Sequence, residues 1–154
     1  MKYILVLALV GCLLLLGFVS VSDKQIPASL FTGAEVASPS DWIKEEQIKV
    51  YGEKVVIEVE NAIWASFTNT NSMDPLIDEN SNAIEIIPND PEEIKIGDVI
   101  AYSTSYGTVI HRVVDKGTDS KGIYYLVKGD NSRLRDLTKV RFNEIEGVVV
   151  AVVY

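Results

Sequence analysis

The chain has 154 residues with 22 acidic and 14 basic side chains, and its net charge is −8. This length fits one ordinary domain and is short for two. The acidic balance argues against a nucleic-acid partner, because proteins that bind nucleic acid present basic surfaces to the phosphates. It also argues against docking on anionic lipid headgroups through a basic patch. Cys12 is the only cysteine, which excludes an internal disulfide and a cysteine-based metal site.

An uncharged and almost entirely apolar run covers residues 3–21. Its 19 residues approach the ~20 that a helix needs to cross a bilayer. Lys2 precedes the run and favours a cytoplasmic N-terminus, which places the following domain outside the cytoplasm. We therefore predict a transmembrane anchor at residues 1–22 of a single-pass protein of the cell membrane, in contact with the lipid bilayer.

Two other interpretations of this segment stay open. A cleaved secretory signal would use Ser20 and Ser22 as small residues before the cut, although its apolar core is typically about 7–15 residues long. A lipoprotein signal would use Cys12 in the Leu-Val-Gly-Cys stretch at residues 9–12. Cleavage there would leave a mature protein with a strongly hydrophobic N-terminus.

Residues 23–52 are predicted to form a linker and a surface helix. The stretch 25–37 contains Pro27, Gly33 and small residues without a clear period. Three residues then indicate the start of a helix: Ser38 as the N-cap, Pro39 in the first turn, and Asp41, whose side chain would reach back to the backbone of the cap. The pattern predicts that this helix ends near residues 51–52.

From residue 53 onward the pattern is typical of β-structure. The predicted strands cover residues 54–60, 62–67, 84–87, 98–103, 109–115, 124–128 and 147–153. Turn residues at 119–122 predict a hairpin between the fifth and sixth of them. Many short strands at close spacing predict a mainly β domain over residues 53–154, built as a small barrel-like or folded sheet.

The single histidine, His111, lies in a strand pattern that reads Val-Ile-His-Arg-Val-Val at residues 109–114. The two-residue period of a strand places Val109, His111 and Val113 on one face. Ile110 and Arg112 then lie on the other face. The imidazole is therefore expected beside apolar side chains.

Hydroxyl, imidazole and carboxylate groups occur in the order Ser72, His111, Asp130 and Asp136. A hydroxyl is a poor nucleophile until a base takes its proton, and the base works best when a carboxylate fixes its tautomer. Each residue alone has an ordinary structural explanation, such as a core histidine, an Asp-Pro turn or a Gly-Asp-Asn loop. Together they predict a serine–histidine site, and either carboxylate remains a candidate partner for the imidazole.

Four short boxes carry a resemblance to a known family. They are Asn-Ser-Met-Asp-Pro-Leu-Ile at residues 71–77, Gly-Asp-Val-Ile-Ala-Tyr at 97–102, His-Arg-Val at 111–113, and Lys-Gly-Asp-Asn at 128–131 with Asp136 following. In this order they resemble the signal peptidase I family, in its archaeal and endoplasmic-reticulum branch, where histidine replaces the lysine base. The resemblance covers roughly residues 65–154.

The resemblance implies roles for individual residues. Ser72 would be the nucleophile, His111 the general base and later the acid, and Asp136 the third catalytic residue. Asp130 matches a supporting acid in the same box and is the alternative partner of His111. Thr70, together with the Ser72 N–H, would bind the oxyanion, and such a preorganised donor is worth roughly 3 kcal/mol of barrier.

Two positions depart from the family pattern. Asn71 stands where the family usually has glycine, and Ser132 where it usually has a second asparagine. Asparagine tolerates the left-handed backbone nearly as well as glycine, so the turn before the nucleophile is expected to survive. Neither change removes a reactive group.

The implied function is that of a membrane-bound serine endopeptidase, which cleaves N-terminal signal peptides from exported preproteins after small residues. Its catalytic domain would lie on the extracytoplasmic face, and it would need no metal and no cofactor. Apolar side chains near the nucleophile and the base are candidates for shallow substrate pockets: Met73, Leu76, Ile77 and Val109.

Two other functions compete with this one. A relative of the self-cleaving SOS repressors would need a lysine base and a DNA-binding domain, and the sequence shows neither. A catalytically silent domain of the same fold would bind peptides or a membrane complex, and it would have no need of Ser72, His111 and Asp136 together. The organism, the preferred preproteins and any membrane partner subunits stay open.

Overall fold

The computed structural model describes residues 36–154, and this part of the chain is mainly β with antiparallel sheets. Its strands are β1 (Ile48–Val50), β2 (Val55–Ile57), β3 (Ala62–Ser66), β4 (Asn82–Ile86), β5 (Val99–Thr104), β6 (Gly107–Asp119), β7 (Gly122–Lys128), β8 (Val140–Arg141) and β9 (Ile145–Val153). Two short 3-10 helices cover Glu45–Gln47 and Phe142–Glu144, and no α-helix occurs within residues 36–154.

Seven strands form one sheet in the order β3-β4-β9-β5-β6-β7-β8, and β1 pairs with β2 in a separate hairpin. Every paired neighbour is antiparallel. The outer strands β3 and β8 do not pair with each other among the strands of residues 36–154. The long strand β6 lies between β5 and β7, so its side chains are supported from both sides.

Apolar side chains pack on both faces of this sheet. The first core cluster contains Ile94, Ile100, Tyr102, Val113, Tyr125, Val127, Val140 and Val148. The second core cluster contains Met73, Ile77, Ala83, Val99 and Val149. Successive residues of one strand, such as Val99 and Ile100, belong to different clusters, as the alternation of a strand requires.

Most predicted strands are confirmed, with ends shifted by a few residues. Strands β3 to β7 and β9 coincide with the predicted segments, and the hairpin turn lies between Asp119 and Gly122. The segment predicted at 54–60 is a strand only over Val55–Ile57, and it joins the small hairpin rather than the large sheet. The two-residue strand β8 was not predicted, because two residues are too few to show a period.

The predicted helix from Ser38 to about residue 51 is wrong. Only Glu45–Gln47 form a single 3-10 turn there, and residues 48–50 are a strand. The Ser40 N–H donates to Asp98 Oδ1 at 2.6 Å, so the backbone of this stretch bonds to the sheet instead of to itself. Trp42 packs against the first core cluster, which anchors the segment in an extended form.

The predicted anchor at residues 1–22, and the linker up to residue 35, lie outside the described residues. No helix found in residues 36–154 has the length and apolar character that crossing a membrane would require.

A buried carboxyl group stands apart from the apolar packing. Glu85 on β4 is 4% exposed, and its Oε1 has no hydrogen-bond partner in the described part of the chain. Burial, together with the smaller effect of the Glu146 charge, raises the pKa of Glu85 from 4.5 to about 6. Compared with the unfolded chain, the folded state therefore favours the protonated form of the Glu85 carboxyl group.

We expect this group to make stability depend on pH. Its pKa is higher in the folded state, so its stabilising effect is complete below pH 4.5 and disappears as the pH rises through about 6. This difference between the unfolded and folded pKa of Glu85 corresponds to about 2 kcal/mol of unfolding free energy. Denaturant unfolding of Glu85→Gln should therefore show a smaller loss of stability between pH 4.5 and 7.5 than the wild type. Glu60→Gln, at an exposed position, is the control, and equal losses in Glu85→Gln and wild type would contradict the assignment.

Candidate active site

Ser72 lies in the long connection between β3 and β4, six residues after β3 ends. The residue before it, Asn71, has a φ of 55°, so the left-handed turn expected from the sequence is confirmed. After it, the N–H groups of Leu76 and Ile77 both donate to the Met73 carbonyl, at 2.9 and 3.1 Å. Because Met73 and Ile77 are buried in the second core cluster, this turn is fixed to the sheet and holds Ser72 at the surface of the core.

His111 lies in β6 directly opposite Ile100 of β5. Paired residues of neighbouring strands point to the same face, so the imidazole lies on the side of the first core cluster. The predicted faces are confirmed, since Val113 belongs to the first core cluster and Ile110 packs against the second. The side chain of His111 keeps 12% of its surface exposed.

The structure brings Asp136, and not Asp130, into contact with His111. His111 Nδ1 lies 2.9 Å from Asp136 Oδ2. A carboxylate only accepts hydrogen bonds, so Nδ1 carries the proton of the neutral ring and Nε2 keeps a free lone pair. This is the tautomer that a general base needs.

Asp130 has a different partner on the opposite face of β6. It accepts two hydrogen bonds from the Arg112 guanidinium, at 2.8 Å from Nε and 2.6 Å from Nη2. Arg112 Nη1 also donates to the Gly97 carbonyl at 2.8 Å. The pair is largely buried, and it connects the start of the β7–β8 loop to β6 and to the turn before β5.

The β7–β8 loop also contacts the nucleophile segment. The Asn131 N–H donates to the Ser72 carbonyl at 3.0 Å, and its side-chain amide donates to the Asn71 carbonyl at 2.9 Å. A β-carbon placed on Gly129 would lie 2.5 Å from the Ser72 carbonyl oxygen and 3.1 Å from His111 Nε2. Gly129 is therefore the point at which the serine backbone and the imidazole come together.

The Ser72 hydroxyl contacts Thr70 in the described structure. Ser72 Oγ and Thr70 Oγ1 are 3.2 Å apart. No hydrogen bond joins Ser72 Oγ to His111 within residues 36–154. In substrate-free sites such bonds are often long and shorten only when substrate is bound.

The four predicted pocket residues do not share one surface. Met73 and Ile77 are 3% and 5% exposed, so they belong to the core and offer little surface to a substrate. Leu76 is half-buried and lines a groove of about 810 Å³ beside the nucleophile turn. Val109 packs against the first core cluster, on the other face of the sheet. Neither Ser72 nor His111 is among the residues that line this groove.

Tyr102 is a site residue for which the sequence predicted no role. Its hydroxyl donates to Asp136 Oδ2 at 2.6 Å, and its ring centroid lies 6.4 Å from that of the imidazole. In the structure Tyr102 pairs with Val109, which lies two residues before His111 on the same face of β6. The two-residue strand period is the sequence signal that, once β5 and β6 are paired, places Tyr102 on the face of His111. No such sequence signal exists for Asn131, because the direction in which a loop side chain points cannot be inferred from a repeating pattern.

No group of three or more histidine, cysteine, aspartate and glutamate side chains is placed to share a metal ion within residues 36–154. The four boxes quoted above come together in the fold: one after β3, one leading into β5, one in β6 and one after β7. Comparisons with protein-family models and with curated proteins find no match to the chain. The resemblance to signal peptidases therefore rests on these boxes and their order.

Proposed function

We propose that the chain is a membrane-bound serine endopeptidase that removes N-terminal signal peptides from exported preproteins, cutting after small residues. One observation supports this most directly. Asp136 binds Nδ1 of the only histidine, while Nε2 and the Ser72 backbone approach the same point at Gly129. This arrangement supplies a nucleophile, a base with the required tautomer and an orienting carboxylate.

In the proposed reaction, His111 Nε2 takes the Ser72 hydroxyl proton as Oγ attacks the scissile carbonyl carbon. The Ser72 N–H and the Thr70 hydroxyl donate to the resulting oxyanion, and each such donor is worth roughly 3 kcal/mol. The tetrahedral intermediate collapses to an ester on Ser72, and Nε2 returns its proton to the leaving amine. Water, deprotonated by the same nitrogen, then attacks the ester, and Nε2 gives that proton to the departing Ser72 Oγ as the carboxyl end of the signal peptide is freed.

The proposal includes a folded-sheet peptidase domain behind one transmembrane helix at residues 1–22. The 19-residue apolar run with Lys2 before it supports the anchor and a cytoplasmic N-terminus. The catalytic domain would then face the extracytoplasmic side, where preproteins emerge from the bilayer. The proposed mechanism uses only side chains and one backbone N–H of this protein, together with water, so we assign it no cofactor.

The test is cleavage of a model preprotein by the full-length chain in detergent. We expect one cut after a small-x-small sequence, located by the mass of the mature product, and an acyl ester on Ser72 after acid quenching. A preprotein with a large residue at the position before the cut is the matched control and should stay intact. Failure of the folded protein to cut would favour a silent peptide-binding domain instead.

A further inference from the structure

The Asp136 carboxylate is held in place chiefly by side chains outside its own loop. It lies between β7 and β8, beside Leu134 and Leu137, which are 82% and 100% exposed. Its backbone N–H donates to the Val127 carbonyl at 2.8 Å. Exposed loops with few buried contacts open easily, so the backbone bond alone leaves the carboxylate free to turn away from His111.

We infer that Tyr102 is a positioning residue that holds the Asp136 carboxylate against His111 in the proposed peptidase reaction. Its hydroxyl and His111 Nδ1 both bond to Asp136 Oδ2, at 2.6 and 2.9 Å. With two donors on one oxygen, rotation of the carboxylate breaks both bonds together. The inference rests on the proposed function, because an orienting carboxylate matters only where His111 acts as a base.

Tyr102 itself is rigidly supported. It is 4% exposed, lies in the first core cluster, and belongs to a strand that is paired on both sides. Its partners across the sheet are Val109 on β6 and Ile145 on β9. The phenol ring is tilted 55° to the imidazole, and the two ring centroids are 6.4 Å apart. The position of the hydroxyl is thus set by the core of the sheet rather than by the loop.

The phenol remains a donor at every working pH. Burial raises the pKa of Tyr102 far above its usual range, and the hydrogen bond to the Asp136 carboxylate raises it further. The tyrosine therefore gives no proton to the reaction and takes none from it. Phenylalanine would fill the same space, so the hydroxyl contributes specifically through its bond to Asp136.

Tyr102→Phe in the full-length protein tests this role, with Tyr125→Phe as the matched control. Tyr125 is also buried in the first core cluster, and its hydroxyl donates to the Pro91 carbonyl at 2.6 Å, away from the site. We expect Tyr102→Phe to lower kcat about tenfold with KM unchanged, which is the size of one lost hydrogen bond. Tyr125→Phe should keep the wild-type kcat.

A second measurement does not depend on activity. Because His111 is the only histidine, every imidazole signal in an NMR spectrum of histidine-labelled protein belongs to it. We expect its Nδ1 proton to shift upfield and to exchange with water at least tenfold faster in Tyr102→Phe, and to be unchanged in Tyr125→Phe. Unchanged shift and exchange in Tyr102→Phe would overturn the inference, as would wild-type kcat beside a shifted signal.

A double-mutant cycle separates this inference from the proposed function. In an Asp136→Ala background, Tyr102→Phe should change kcat by less than twofold, because the carboxylate that accepts the Tyr102 hydrogen bond is already absent. An undiminished tenfold effect would show that the hydroxyl acts elsewhere. If the wild type cuts no preprotein, the proposed function fails, while the NMR comparison still decides whether Tyr102 holds the pair.

Discussion

Ser72→Ala and His111→Ala should each lower kcat for preprotein cleavage by roughly 10⁶-fold, because each removes a member of the reacting set. The double variant should be no slower than either single one, since nucleophile and base act as a unit. Single-turnover cleavage by full-length protein in detergent measures this. Ser103→Ala is the control, because Ser103 is an exposed serine on β5 whose hydroxyl donates to the Glu144 carbonyl.

The outcome that contradicts the assignment differs for the two residues. Cleavage that survives Ser72→Ala would mean another nucleophile or a contaminating protease, and the proposed function would fall. Cleavage that survives only His111→Ala would leave a serine enzyme with a different base. Lys128 directly precedes Gly129, and its ammonium group donates to the carbonyls of Gly129 and Ser132. Lys128→Met would test that alternative.

Gly129→Ala should reduce kcat roughly 100-fold while leaving the protein folded. The new methyl group would lie 2.5 Å from the Ser72 carbonyl oxygen and 3.1 Å from His111 Nε2, so backbone and ring must move apart. Displacements of about 1 Å at a reacting centre cost on the order of 10²-fold in rate. Steady-state kinetics and a thermal unfolding curve on the same preparation give both quantities.

The matched control is Gly52→Ala, where an added β-carbon would meet nothing within 4 Å. It should keep the wild-type kcat and melting temperature. A Gly129→Ala protein with wild-type kcat would mean that the approach of Ser72 and His111 at this glycine is unimportant for the reaction. Loss of the folded state in Gly129→Ala would instead show that the contact supports the fold.

Local patterns in the sequence predicted the strands and the immediate setting of the reactive side chains. The period of two around His111 placed Val113 and Ile110 on the correct faces, because β6 is paired on both sides and the register shift in its pairing with β7 begins only after Val113. The left-handed turn at Asn71 followed from the conformational tolerance of asparagine. Such properties depend on a few neighbouring residues, so they are readable before the fold is known.

Properties that depend on distant contacts were not predictable. Asp130 and Asp136 are chemically equivalent in one loop, and only the family resemblance favoured Asp136 as the third catalytic residue. The fold assigns Asp130 to Arg112 and Asp136 to His111. The helix expected after Ser38 failed because Asp98, 58 residues from Ser40, binds its backbone N–H. Met73 looked like a pocket residue from its place beside Ser72, but it lies in the second core cluster.

One loop, between β7 and β8, contributes to both halves of the site. Asn131 binds the backbone of the nucleophile segment, and Asp136 binds the imidazole. A newly made chain whose loop has not yet docked would lack a fixed serine and an oriented base at the same time. The proposed proteolytic activity would then require the docked loop, because docking fixes the serine and orients the base together.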